Sequence, residues 1–161
     1  MDRIAARAAA FKHALDALSR RSRSARELAR WLAQRDHASE DIDATIERLT
    51  AQGALNDAEY ARSFVRSRAL GRGMSRRRVH AELARRGVAR DVVEAAISEV
   101  LADEDLDEAV LINAAATKKM RLLGTLAPDV RRKRLYSFLA RRGFPPDLVR
   151  TTVAKFTRPE E

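Results

Sequence analysis

The chain has 161 residues, a formal net charge of +9, 45% hydrophobic and 34% charged residues, and no cysteine. It is apolar enough to bury a core, which argues against disorder. The lack of cysteine excludes a disulfide framework, thiolate-bound zinc and thiol chemistry, in keeping with a reducing cytoplasm. No apolar run approaches the roughly 20 residues of a membrane helix, and the basic balance points to a polyanionic partner, nucleic acid or an acidic protein surface.

The apolar residues are mostly Ala and Leu, with four Pro and six Gly, a mixture that favours helix. Residues 1–24 are Arg-rich and amphipathic. Asp2, Asp16 and the stripe Phe11, Ala14, Leu15, Leu18 make them the first helix of a repeat rather than a targeting segment. Ser24-Ala-Arg-Glu27 has the spacing of a capping box, and the helix it opens turns Leu28, Trp31 and Leu32 inward. Ser39 is the expected cap of a third helix with Ile42, Ile46 and Leu49, ending near Gly53. Asn56-Asp-Ala-Glu59 opens the next, with Tyr60, Phe64 and Val65 apolar. It should stop near Leu70, before Gly71-Arg72-Gly73. Ser75 caps a helix with Val79 and Leu83 inward, which Gly87 closes. Val93, Ile97 and Val100 mark another. An acidic stretch, 99–108, then leads into a helix containing Val110 and Leu111. Gly124 and Pro128 bracket a break, the helix with Leu135 and Leu139 ends at Gly143, and Pro145-Pro146 starts the last.

These helices repeat. Leu83 and Leu139 follow Leu32 at offsets of 51 and 56 residues, and the position four earlier reads Leu28, Val79, Leu135. Ten later it reads Ile42, Val93, Val149; fourteen later Ile46, Ile97, Val153; seventeen later Leu49, Val100, Phe156. The turn reads Arg35-Asp36, Arg86-Gly87, Arg142-Gly143. The expected fold is therefore all-α, three tandem three-helix repeats in an elongated array, with boundaries at 1–55, 56–103 and 104–161.

Charge keeps the same period. Residues 3–35 net +7 and residues 36–59 net −6; residues 62–90 hold ten arginines against Glu82 alone, residues 99–108 net −6, and residues 109–142 net +8. Stacked in one direction, the basic fronts would form a ribbon suited to a long polyanion. The competing reading is a set of solvated helix faces paired with neighbouring acids.

No catalytic constellation is assembled. His13, His37 and His80 read as sitting in separate units, standing apart without metal-ligand spacing. Ser22, Ser24, Ser63, Ser67 and Ser75 lie among arginines without a plausible base. The acids at 103–108 lack the glycine and spacing of a calcium loop. Gly71-Arg72-Gly73 has neither a preceding strand nor a following Gly-Lys-Ser/Thr, so it is no nucleotide loop, although its amides suit a backbone phosphate. The pair 76–86 and 91–101 has the form of a DNA-reading helix-turn-helix. It recurs at 25–35/40–50 and 131–142/146–156, and its second helices carry phosphate-repelling acids such as Asp91, Glu94 and Glu99. Aromatics are few; Tyr136, beside Arg132, Lys133 and Arg134, is the one placed to meet a ligand. No enzyme, cofactor or metal is expected.

The segments Arg23-Ser-Ala-Arg-Glu-Leu28, Leu55-Asn-Asp57, Tyr60-Ala61, Phe64-Val-Arg66, Arg68, Gly71-Arg-Gly73 and Glu82-Leu-Ala-Arg-Arg-Gly-Val88 resemble the RecX family of recombinase regulators. The resemblance is specific from Arg20 to Ile97 and continues around Leu139-Ala-Arg-Arg-Gly143. Two positions depart from the family pattern: Asp36 stands where a Gly is usual, and Ala54 where an aromatic is usual. The resemblance implies a curved array of three-helix repeats, non-enzymatic, cytoplasmic and monomeric. It would bind the RecA filament on single-stranded DNA and inhibit ATP hydrolysis, strand exchange, coprotease function or filament growth. That makes it a negative regulator of recombination, DNA repair and the SOS response. Two other classes compete with this reading: a DNA-binding protein that needs no recombinase, and a helical adaptor for an unrelated acidic protein.

Charge placement then suggests the contact residues. Arg66, Arg68, Arg72, Arg76, Arg77 and Arg78, with Arg85 and Arg86, form the central surface. Arg20, Arg21, Arg23 and Arg26 extend it in the first repeat. Lys118, Lys119, Arg131, Arg132, Lys133 and Arg134 extend it in the third. They are expected to meet acidic groove residues, DNA phosphates or both.

Overall fold

The computed structural model describes residues 2–158, and among these residues it contains nine α-helices and no strand. In chain order they are α1 (Arg3–Arg20), α2 (Ala25–Ala33), α3 (Ser39–Ala51), α4 (Asp57–Val65), α5 (Arg76–Arg85), α6 (Arg90–Asp103), α7 (Glu108–Leu123), α8 (Pro128–Arg141) and α9 (Pro146–Phe156). The described residues divide into two compact units, one reaching Ala61 and including Leu83–Val93, the other made of Arg62–Glu82 and the residues from Glu94 onward.

Side-chain oxygens set most of the helix starts, because the first amides of a helix have no intrahelical partner. Ser24 and Glu27 complete the expected capping box, each side chain taking the other's amide at 3.1 Å. Asn56 accepts from the Glu59 amide at 3.0 Å, Ser75 from Arg78 at 3.1 Å, and Asp107 from Val110 at 2.8 Å. Ser39 departs from expectation. It is the first residue inside α3, the cap position is Ala38, and no side chain caps this helix. Glu40 and Asp41 in the first turn complement the helix dipole instead. After Val65 the chain widens into a π-helical turn, Arg66–Gly71, before it breaks.

Most of the repeated apolar positions are the core, with Ile46 and Phe156 half-buried. Leu32, Leu83 and Leu139 are fully buried, as are Leu28, Val79 and Leu135, and then Val93 and Val149. Burying each such side chain contributes roughly 1.5–3 kcal/mol before conformational entropy is subtracted. The first helix differs in detail. Its buried line is Ala10, Ala14 and Ala17, with Phe11 and Leu18 at the margin, while Leu15 is 43% exposed. Small side chains let α1 lie close on α2 and α3; of the expected stripe, Ala14 is fully buried.

Each repeat closes its second helix with the same left-handed turn. Asp36, Gly87 and Gly143 have φ of 61°, 77° and 88°. In each, the residue at the turn returns its amide to the helix: Asp36 to the Ala33 carbonyl at 3.1 Å, Gly87 to Ala84 at 2.9 Å, Gly143 to Ala140 at 3.0 Å. Asp36 thus adopts the geometry that the other two repeats give to glycine, with the aspartate side chain tolerated at some cost.

These turns also join one repeat to the next, inside each unit. In the first unit the fully buried Ser24 hydroxyl donates to the Arg86 carbonyl, and a Cβ on Gly87 would stand 2.2 Å from Arg26 Cδ. In the second, the fully buried Ser75 donates its amide to the Arg142 carbonyl at 3.0 Å, and a Cβ on Gly143 would stand 2.7 Å from Arg78 Cβ and Ser75 Oγ. The cap serine of one repeat therefore seats against the turn glycine of the following repeat.

Two substitutions test this. Gly143→Ala meets both a forbidden φ and a close contact, and is expected to cost at least ~2 kcal/mol. Asp36→Gly relieves an aspartate held at a φ of 61° and should stabilise by up to ~1 kcal/mol. Urea midpoints measure both. A Gly143→Ala protein as stable as the parent would rule out the packing argument.

Candidate partner and nucleic-acid interface

Of the eighteen basic residues singled out from the sequence, thirteen are exposed and five (Arg23, Arg68, Arg86, Lys119 and Arg131) are half-buried. None is in the core. The first unit holds Arg20, Arg21, Arg23, Arg26, Arg85 and Arg86; the second holds the rest.

In the first unit the arrangement begins at the C-terminus of α1. Arg20 ends the helix, Arg21 turns out of it in extended backbone, and Arg23 precedes the Ser24 cap. Arg23 lies 5.5 Å from the Trp31 ring centre, and Arg35 approaches the same ring at 3.5 Å, so two guanidiniums share one indole. Burial lowers the Arg23 pKa from its ordinary value, and the like charge of Arg21 adds to this. Arg86 is used internally: its Nε stands 3.9 Å from Glu27, which also accepts from the Tyr60 hydroxyl at 3.1 Å. Burial and then Glu27 push the Tyr60 hydroxyl pKa up. Asp57, at the start of α4, takes the Ala25 amide at 2.8 Å, so one carboxylate satisfies an orphan donor of another helix.

The second unit gathers more charge. Arg66, Arg72, Arg76, Arg77 and Arg78 are exposed along the π-helical turn and the start of α5. Arg78 pairs with Glu82 at 3.2 Å, and Arg68 lies over the Phe64 ring. Arg142, which charge counting did not single out, is drawn into this cluster. Burial lowers its pKa first, and repulsion from Arg72, Arg141 and Arg78 lowers it further. Its guanidinium sits 4.9 Å from the Phe138 ring centre, and Lys119 reaches the same ring at 5.2 Å. On α8, Arg132, Lys133 and Arg134 are exposed beside Tyr136, which is 40% exposed. Arg132, Lys133 and Tyr136 line one depression with residues of α9.

Some of the acids serve as struts for the arginines outside this set. Arg3 pairs with Glu40, Arg7 with Asp41 at 3.5 Å, and Arg62 with Glu99 at 3.3 Å. The alternative reading of paired helix faces therefore holds for these arginines. It does not account for the exposed group around Arg72 and Arg142, whose nearest charges include other arginines.

The histidine reading needs correction. His13 and His37 do not stand apart: both lie in the first unit, and their ring nitrogens Nδ1 and Nε2 meet at 2.9 Å. Helix α1 and the turn before α3 bring together residues 24 positions apart in sequence. Among the described residues no group of three or more His, Cys, Asp or Glu side chains is placed to hold a metal ion. Among them also, no helix is long and apolar enough to cross a membrane.

Comparison with known proteins gives this arrangement its context. The first three-helix domain of RecX matches residues 10–49, the second 56–97 and the third 107–153. The chain belongs to the RecX family. It is 39% identical to Regulatory protein RecX of Halorhodospira halophila over 150 residues, 92% of this chain and 88% of that one. It is 36% identical to the Pelodictyon phaeoclathratiforme protein of the same name over 135 residues, 84% of this chain and 81% of that one. The crystal structure of RecX from Lactobacillus salivarius shares the fold, with a TM-score of 0.74 at 20% identity, covering 95% of this chain and 97% of that one. RecX relatives of this chain are thus named as regulatory proteins. Asp36, where RecX proteins usually have Gly, keeps the left-handed turn. Ala54, where they usually have an aromatic, is exposed.

One acid in the RecX fold gives a pH test. Glu108 accepts a hydrogen bond from the Arg76 amide, supplementing Ser75 at the start of α5. Burial pushes its carboxyl up from its ordinary value, opposed by that hydrogen bond and the Arg76 charge, while Asp107 adds a small upward push. A carboxyl raised on folding favours the protonated native state. Its contribution is full below the unfolded pKa and is lost as pH rises through the folded one. Glu108→Gln keeps an acceptor oxygen and removes the charge. Its melting temperature should exceed the parent's at pH 7, with the difference closing below about pH 4. A lower melting temperature at pH 7 would show that the carboxylate charge contributes more than its burial costs.

Proposed function

We propose that this chain restrains homologous recombination and the SOS response by binding the RecA filament on single-stranded DNA. Binding there inhibits the filament's ATP hydrolysis, strand exchange and coprotease activities. The observation that carries the reading is the succession of three RecX domains over residues 10–153, named in relatives as a regulatory protein. The charge distribution supports it. Exposed arginines and lysines occur in both units, and a filament on DNA presents phosphates and protein acids at a regular spacing. Repeating basic surfaces engage such a ligand at several points, so moderate local affinities multiply. Regulation here is steric and electrostatic: the protein occupies the filament and hinders the conformational cycle that hydrolysis and exchange require.

The test is single-stranded-DNA-dependent ATP hydrolysis by the cognate RecA, titrated with this protein beside its binding to the same DNA without RecA. Inhibition is expected well below the concentration that coats the DNA. Inhibition only at DNA saturation would instead make this a DNA-binding protein that competes for the strand. Arg66→Glu with Arg77→Glu, both exposed, is expected to weaken filament binding at least about tenfold. The helical circular dichroism signal should be unchanged. Undiminished binding by that folded variant would remove the central arginines from the contact.

A further inference from the structure

The second unit carries a groove of about 780 Å³ that this regulatory role does not by itself explain. The Gly71–Gly73 loop forms part of its wall and α7 another part, with Leu106 contributing. Gly73 permits the close approach of loop and helix: a Cβ there would stand 2.9 Å from Ala115 Cβ. Much of the lining is aliphatic. Leu122 is 76% exposed and Val110 44% exposed, both on α7 and both at this groove. Exposed apolar surface gathered in one depression and rimmed by charge is the signature of a recognition site.

The rim has a single sign. Arg72, Lys118, Lys119 and Arg142 line the groove, and no acidic residue does. Arg142 is also crowded by Arg72, Arg141 and Arg78, so the fold holds like charges together at its edge. An incoming anion would relieve that repulsion. The floor excludes one class of anion. Phe138 is the aromatic in the lining, and Lys119 and Arg142 already approach its ring at 5.2 and 4.9 Å. A nucleic-acid base is therefore offered leucine and valine rather than an open ring to stack on. Side chains of an amphipathic helix fit such a floor, entering at i, i+3, i+4 and i+7.

We propose that this groove takes an acidic amphipathic segment presented by the protein of the filament, with its apolar residues on Val110 and Leu122 and its carboxylates on the rim cations. The inference rests on the filament reading above and specifies where protein, as distinct from DNA, is gripped. It also sets an orientation. Helix α7 begins with Asp107 as its cap and Glu108 in its first turn, and reaches Lys118 and Lys119 about three turns later. The partner's acids must therefore lie toward the C-terminal half of α7.

The test uses Val110→Ser with Leu122→Ser, two exposed positions whose replacement leaves the charge unchanged, checked for folding by circular dichroism melts. Three probes are compared: RecA filaments, naked oligothymidylate, and a synthetic helical peptide with leucine at i, i+3, i+4 and i+7 and glutamate elsewhere. The variant is expected to lose affinity for filament and peptide roughly tenfold or more. Its affinity for oligothymidylate should stay within about twofold. Loss of oligothymidylate in step with the peptide would make the groove a nucleic-acid channel and overturn the inference. So would a peptide that the parent fails to bind, or that parent and variant bind alike. So too would a filament held equally by both proteins. If the parent holds the peptide through this groove but not the filament, the proposed function fails while the groove's preference for acidic amphipathic segments is upheld.

Discussion

The structure depends on a buried serine that closes two helices at once. Ser24 caps its own helix through the Glu27 amide and donates its hydroxyl to the Arg86 carbonyl, at the end of the second helix of the next repeat. Ser75 caps its helix through the Arg78 amide and gives its own amide to the Arg142 carbonyl. Each contact satisfies orphan groups from a helix start and a helix end simultaneously, so neither end is left buried without a partner. Close approach is what makes this possible, and it requires a residue without Cβ at the receiving turn, met by Gly87 and Gly143. Among the described residues no cap serine bonds to the turn of the first repeat. Its turn can therefore carry Asp36 at the same left-handed φ.

This arrangement determines which charges remain for a partner. Arginines near the junctions are engaged by their neighbours: Arg26 lays its stem on Gly87, Arg86 faces Glu27, and Arg78 lies against Gly143 while pairing with Glu82. Arginines one step away, such as Arg77, Arg85 and Arg66, are exposed. A run like Arg76-Arg77-Arg78 is thus not three equivalent charges. Arg76 gives its amide to Glu108, Arg78 holds a junction, and Arg77 is left to the solvent.

Much of the fold was legible in the sequence because both of its determinants are local. Helix starts follow from short polar side chains at fixed spacing, and Ser24, Asn56 and Ser75 all act as the caps expected of them. Apolar periodicity located the core in three registers, from Leu28, Val79 and Leu135 onward. The failures come from tertiary context. Ser39 has the right chemistry for a cap, but the turn after Asp36 places it one residue inside the helix. The α1 face was misjudged at Leu15 because close packing selected the alanines at 10, 14 and 17. The meeting of His13 with His37 is a tertiary contact that no spacing rule encodes. Nor does net charge find Arg142 among other arginines or Leu122 in the open, because both depend on which helix face the neighbouring repeat covers.

A folded protein ordinarily separates like charges or intersperses acids, because self-repulsion destabilises the compact state. Here α1 follows that rule, with Arg3 and Arg7 answered by Glu40 and Asp41 from α3. The crowding of Arg142 by Arg72 and Arg141 breaks it, beside a depression where Leu122 and Val110 are also turned toward water. Two separate costs, electrostatic and hydrophobic, fall at the same depression. Either alone is common on a protein surface. Their coincidence has one economical physical reading, since a single ligand that is both apolar and anionic relieves both. Burial of Leu122 and neutralisation of Arg142 would then occur in the same event, and the specificity of that event would lie in requiring both.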